Sequence, residues 1–342
     1  VLFRSPIMGF VGNLGYVVVC ILGASMAAGG SMTIGGIQAF IQYLRSFTQP
    51  ITQMASISSQ VQRTMAAAER IFNFLDEPEI VEKTPKYTVE NSNIRGDIRF
   101  DNVCFGDEDI DETVIHDFSA DVKAGQKIAI VGPTGAGKTT MVKLLMRFHD
   151  LKSGRIYLDG KDITEFARGD LRKEFGMVLQ DTWLYSGTIM ENIRYGRLDA
   201  TDEEVIQAAK AAQVDHFVRT LPDGYNTILN EEATNVSQGQ KQLLTIARAI
   251  LSDSRIMILD EATSSVDTRT ELSIQTAMDN LMRGRTSFII AHRLSTIRNA
   301  DLILCMKDGD IVEQGTHEEL LAKNGFYANL YNSQFEHAEE SA

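Results

Sequence analysis

Cysteine is scarce in this sequence. Cys20, Cys104 and Cys305 make an odd count and form no CxxC pair, so a disulfide framework or a zinc site does not organise the chain. The six histidines show no metal-ligand spacing. Basic residues are outnumbered, 33 Lys and Arg against 46 Asp and Glu, for a net charge of −13, and no run of Lys and Arg makes a local basic patch. A field of that sign repels phosphate backbones, so nucleic acid is not an expected partner. An initiating methionine is also missing. The first apolar segment has no small-residue cleavage site and is too long for a signal-peptide core. The sequence reads as a chain whose N-terminal part is absent.

The chain has ample material for cores: 44% apolar and 23% charged residues over 342 positions, a length that suggests about two domains. Residues 7–28 are nearly all apolar or small and carry no charge, with Asn13 and Ser25 as the polar exceptions. A helix of that length spans a hydrocarbon core of about 30 Å. After a short uncharged link a second long segment runs over about 34–57. Along it Gln38, Gln42, Arg45, Gln49 and Gln53 recur at helical spacing, one polar stripe on an otherwise apolar helix. A charge at Arg45 within a membrane must face a bundle interior or water. The stripe therefore either lines an aqueous substrate cavity or packs against other helices, and both readings stay open. The link lacks Lys and Arg, whereas Arg4, Arg63 and Arg70 flank the pair. That asymmetry predicts that both ends and everything downstream are cytoplasmic. Pro50 predicts a kink, and the helix is expected to continue through Leu75. Residues 1–75 are thus the expected transmembrane part, 76–96 a charged linker broken by Pro78 and Pro85, 97–335 a globular domain and 336–342 a disordered acidic tail.

From Asp97 onward short β runs alternate with helical ones. Lys127–Val131 is an apolar strand that runs into Gly132, Pro133, Thr134, Gly135, Ala136, Gly137, Lys138, Thr139 and Thr140. This is GxxxxGK[ST] in its strand–loop–helix context, and it predicts a phosphate-binding loop. Glycines allow backbone N–H groups to turn around phosphate oxygens, and the helix N-terminus adds a positive dipole end. Lys138 is expected at the β- and γ-phosphates, and Thr139 supplies a hard oxygen for Mg²⁺. A second apolar strand, Ile256–Leu259, ends in Asp260 and Glu261. Asp260 suits an outer hold on Mg²⁺, and Glu261 is the expected base or orienting group for an attacking water. Ser237 with Gln240 reads as a capping box opening an amphipathic helix. Its exposed N-terminus is also an anion site. Thr201 with Glu204 is a second capping box. Asp308-Gly309 predicts a hairpin turn.

The stretch Val236-Ser237-Gln238-Gly239-Gln240 resembles the LSGGQ signature of the ATP-binding cassette (ABC) ATPases. Gln180 resembles that family's Q-loop glutamine, Asp267 its D-loop aspartate and His292 its switch histidine. The resemblance covers about 97–335, and the preceding helices resemble the last two of a type I exporter half. It implies an α/β P-loop NTPase with a helical subdomain, preceded by an all-α transmembrane hairpin, with ATP and Mg²⁺ as ligands. It implies that Glu261, His292 and Gln180 act in hydrolysis, Gln180 also on the metal. Ser237, Gln238, Gly239 and Gln240 would act on ATP held by a second exporter half, identical or different, and Asp267 would bridge the two sites. It further implies a multi-pass membrane protein, in contact with lipid, exporting a drug, lipid or peptide-like substrate. Two departures stand out. Val236 and Gln238 replace the usual Leu and Gly, and the acidic stretch 106–113 lacks the usual adenine-stacking Tyr, leaving Phe105 as the nearest substitute. The competing readings are a degenerate subunit that binds ATP without hydrolysis, and a non-transport ABC ATPase. Glu261 with His292 argues against the first, and the apolar segment 7–28 against the second.

Overall fold

A computed structural model describes residues 4–77, 79, 84–87, 94–107, 112–179, 182–230, 235–260, 268–291 and 294–339. The chain divides into two compact units, 1–81 and 82–342.

The first unit is a helical hairpin. Helix α1 spans Arg4–Ala28 and α2 spans Ile34–Leu75, with Pro50 inside α2. The Thr33 hydroxyl caps α2 by accepting from the Gly36 N–H. The helices approach where side chains are smallest. A Cβ on Gly23 would lie 3.0 Å from Ile37, and one on Gly15 would lie 3.7 Å from Leu44. Ile37, Ile41, Leu44 and Thr48, at helical spacing, form the half-buried face of α2. Gln38, Gln42, Arg45, Gln49 and Gln53 lie on a different, exposed face. From that face Arg45 reaches back over the Tyr16 ring, 5.6 Å from its centroid. A third face, carrying Phe40, Tyr43, Phe47, Met54, Val61, Met65 and Phe72, is apolar and exposed. Among the described residues no helix is long and apolar enough to cross a membrane. The helices stand where the spans 7–28 and 34–57 are expected, but the required run of apolarity is not shown. In α2 the glutamine stripe and Arg45 dilute the apolar character.

The second unit is built on two sheets. Strands β1 (Ile98–Asp107), β2 (Glu112–Val122), β4 (Ser153–Leu158) and β5 (Lys161–Asp162) form an antiparallel sheet in the order β2-β1-β4-β5. The larger sheet uses β3 (Lys127–Val131), β6 (Phe175–Val178), β9 (Ile256–Asp260), β10 (Thr286–Ile290), β11 (Leu302–Lys307) and β12 (Asp310–Gly315). Its order is β12-β11-β3-β10-β9-β6, parallel except for the edge strand β12. The apolar runs follow from burial on both faces. Alternate residues divide between two cores. Ile128, Ile130, Ile258 and Phe288 face the antiparallel sheet's core, and Ala129, Val131, Leu259 and Ile289 face the helical one.

The helical side includes α5 (Ile189–Arg194), α6 (Asp202–Ala211), α7 (Asp215–Thr220), α8 (Gln238–Ser252) and α9 (Thr268–Met282), with the two-stranded β7 (Gly187–Thr188) and β8 (Ile228–Leu229). Short helices α4 (Arg168–Lys173), α10 (Leu294–Arg298) and α11 (His317–Ala322) lie elsewhere in the unit. The capping boxes at Thr201 and Ser237 form as expected, and Thr188 and Thr316 make two more. The hairpin turn lies at Asp308-Gly309, with φ of 49° and 81°, the geometry of a two-residue β-hairpin.

Three expectations need correction. Part of the linker is tied to the domain: Lys86 N–H donates to Glu165 O at 2.8 Å, and the Tyr87 ring packs 5.6 Å from Phe166. The apolar positions Met141, Val142, Leu144, Leu145 and Phe148 predict a helix over 138–148 after the P-loop, but α3 spans only Lys138–Leu145. Arg147 there adopts a left-handed φ of 54°, which ends the helical path. The tail assigned to 336–342 is helical through Glu339, as the end of α12 (Phe326–Glu339), because Tyr327 and Ala328 bury its first turn.

Candidate nucleotide site

The loop between β3 and α3 is shaped by what stands against its glycines. Gly132 has no room for a side chain: a Cβ would lie 2.2 Å from the backbone oxygen of Met306 on β11. Gly137 caps α3 with φ of 92°, and a Cβ there would meet Ile115 at 2.7 Å. Only glycine reaches both conditions without strain. Ala136 is buried, Thr140 half-buried, and Pro133, Thr134, Gly135 and Thr139 are exposed. The loop therefore presents its backbone and the Thr139 hydroxyl outward. Met141, Val142, Leu144 and Leu145 anchor α3 in the core.

Lys138 lies back along this loop. Its ammonium donates to the carbonyls of Gly132 at 2.7 Å and Pro133 at 2.9 Å. Burial pushes its pKa below the ordinary lysine value, and the negative charge of Asp260 opposes that shift. Asp260 is placed by register. Ile290 on β10 pairs with Ile130 on one side and with Asp260 on the other. Asp260 therefore stands level with the end of β3, two strand spacings or about 10 Å away. Both lie at the C-terminal edge of the parallel sheet, where open α/β sheets bind ligands.

Gln180, Glu261, Asp267 and His292 lie outside the described residues. Their neighbours in sequence are described: Val178 ends β6, Asp260 ends β9 and Ile290 ends β10. Three adjacent strands thus deliver the chain to that same edge.

At α8 the Ser237 hydroxyl accepts from the Gln240 N–H, and the Gln240 side chain accepts from Ser237 N–H at 2.8 Å. Gly239 is buried, while Ser237 and Gln238 are exposed. Val236, the first departure from the usual signature, is a buried core residue. Gln238, the second, donates to the Thr182 hydroxyl at 3.3 Å. The signature residues do not line the cavity at the P-loop.

That cavity, of about 200 Å³, lies between Pro133, Thr134 and Lys138 on one side and Tyr327, Leu330 and Tyr331 of α12 on the other. The aromatic wall was not legible in the sequence; its only signal is the i, i+4 pair of tyrosines. Phe105 does not line this cavity. It pairs with Ile115 on β2, and its ring lies 5.3 Å from His149.

A parallel sheet, a glycine loop wrapped against its neighbours, a lysine at that loop and a carboxylate two strands away define a P-loop nucleotide-binding domain. Residues 115–264 match the family described as ABC transporter, and the domain that carries them belongs to that family. It is 55% identical over 326 residues to the fatty acid ABC transporter ATP-binding/permease protein of Mycobacterium bovis, covering 95% of this chain and 51% of that protein. It is 40% identical over 332 residues to the ATP-dependent lipid A-core flippase of Syntrophus aciditrophicus, covering 97% and 55%. Among solved structures it resembles a bacterial Atm1-family ABC exporter with ATP bound, at a TM-score of 0.70 and 36% identity, covering 96% of this chain and 58% of that one. The chain spans about half the length of the relatives it matches.

Proposed function

We propose that the chain is the C-terminal part of an ABC exporter half, which binds Mg²⁺-ATP, hydrolyses it and uses the cycle to move a substrate across a membrane. The observation that carries this is the Gly132–Lys138–Asp260 arrangement at one sheet edge. The backbone of 132–137 and Lys138 would hold the phosphates, and Thr139 and Asp260 would hold the metal. These hard oxygens fit Mg²⁺, which supplies charge neutralisation at the phosphates when bound. Glu261 would take up the proton of the attacking water, His292 would hold the terminal phosphate, and Gln180 would sense metal and water.

Ser237 and Gln238 are exposed at the N-terminus of α8, with Gly239 buried behind them, and this end does not line this chain's own P-loop cavity. In this reading they complete the site of a second exporter half, as an anion-binding end, and Asp267 bridges the two. ATP then joins two chains, and its hydrolysis removes the preference for the closed pair.

Helices α1 and α2 would belong to the membrane part, with the globular domain in the cytoplasm. The broad exposed apolar face from Phe40 to Phe72 supports burial against lipid or further helices. The stripe of Gln38, Gln42, Arg45 and Gln49 would face the substrate path. The names of two relatives, a fatty acid transporter and a lipid A-core flippase, favour an acyl-chain lipid as cargo. The test is magnesium-dependent ATP binding by the chain in detergent. The reading fails if neither wild type nor Glu261→Gln binds nucleotide.

A further inference from the structure

The P-loop cavity has a wall that none of the nucleotide-binding motifs supplies. Helix α12 forms it, and α12 is firmly held. Glu313 on β12 accepts from the N–H groups of Phe326 at 2.8 Å and Tyr327 at 2.9 Å, at the helix's first turn. Tyr327 is buried, and its hydroxyl lies 2.7 Å from His317 Nδ1. One turn on, the Tyr331 ring packs 5.1 Å from the His317 ring and 6.0 Å from Tyr327. This braced cluster leaves Leu330 and Tyr331 half-buried, facing the cavity that Pro133, Thr134 and Lys138 line.

The position of Lys138 says which end of a nucleotide this is. A P-loop lysine reaches the β- and γ-phosphates, and here its ammonium rests on Gly132 and Pro133, in the same cavity. We propose that Tyr331, with Leu330, closes the terminal-phosphate end of the nucleotide site and sets its preference for a triphosphate over a diphosphate. The inference rests on the reading of this loop as an ATP site. Its physical basis is water exclusion. An apolar wall lowers the effective dielectric around Lys138 and strengthens its attraction for charge placed there. Only a triphosphate puts a terminal group at that end. Tyr331 is a positioning residue in this account.

The test is a pair of dissociation constants, for a non-hydrolysable Mg²⁺-ATP analogue and for Mg²⁺-ADP, measured by calorimetry on the whole chain. Tyr331→Ala should weaken the triphosphate by about fivefold or more and leave the diphosphate within about twofold. Tyr331→Phe should behave as wild type. Equal weakening of both ligands, or of neither, overturns the proposal while leaving the ATP site standing. If Tyr331→Ala does not fold, Leu330→Ala is read by the same two constants. A wild-type chain that binds neither ligand overturns the underlying site and this proposal with it.

Discussion

The ammonium of Lys138 lies 2.7 Å from the carbonyl oxygen of Gly132, six residues back along the same loop. The lysine is thereby oriented across the loop before any phosphate arrives. Lys138→Ala should lower ATP affinity by about tenfold or more, roughly 1.4 kcal/mol, with little change in melting temperature. Because burial favours the neutral amine, affinity in the wild type should also fall on the alkaline side, from below the ordinary lysine range. A titration series across pH, with Lys138→Ala as the flat reference, checks both statements.

Gly132 faces a carbonyl that cannot give way. With the Met306 oxygen 2.2 Å from any added Cβ, Gly132→Ala must displace β11 or the loop itself. A loss of more than about 2 kcal/mol in stability is expected, read as a drop in denaturation midpoint. Gly135→Ala meets nothing within 4 Å and bears only the strain of its φ of 84°, so it should cost less.

The end of α3 is held by cations. Arg168 donates to the Arg147 carbonyl at 2.9 Å and grips both Asp150 oxygens, and Arg172 donates to the carbonyls of Met146 and Arg147. These groups satisfy carbonyls left over at a helix C-terminus and oppose its dipole. Arg168 is buried, so Arg168→Ala should destabilise by about 2–3 kcal/mol. Arg172→Ala, more exposed, should cost less in the same chemical denaturation.

Much of this was legible from local pattern. β3 and β9 each extend an apolar run of four by one charged residue, Lys127 before the first and Asp260 after the second, and the Ser237 and Thr201 caps follow from residue type and spacing. The faces of α2 follow from the period of its glutamines. What escaped depended on elements distant in sequence. The stop of α3 is set by Arg147 folding back, not by a glycine or proline. The cluster of His317, Tyr327 and Tyr331 joins two helices whose residues carry no motif, and it makes part of the C-terminal segment helical where polarity suggested a disordered tail. Phe105, proposed from its position in the chain as the adenine-stacking residue, lies on β1, paired with Ile115 and with its ring near His149.

That cluster carries a pH signature. Burial, and then the charge of Arg298, hold His317 below the ordinary histidine value. The folded state therefore prefers the neutral ring. Its contribution is present above the unfolded value of about 6.5 and is lost as pH falls through the folded one. Between about pH 7.5 and 5.5 the wild type should lose melting temperature relative to His317→Gln. Parallel melting curves for the two proteins across that range would show that the ring is not coupled to folding.

The most direct measurement is ATP turnover and ATP binding by wild type and Glu261→Gln, each with and without magnesium. The account predicts magnesium-dependent binding in both, with turnover in the variant reduced by about a hundredfold. A Glu261→Gln protein that hydrolyses ATP at the wild-type rate would contradict it.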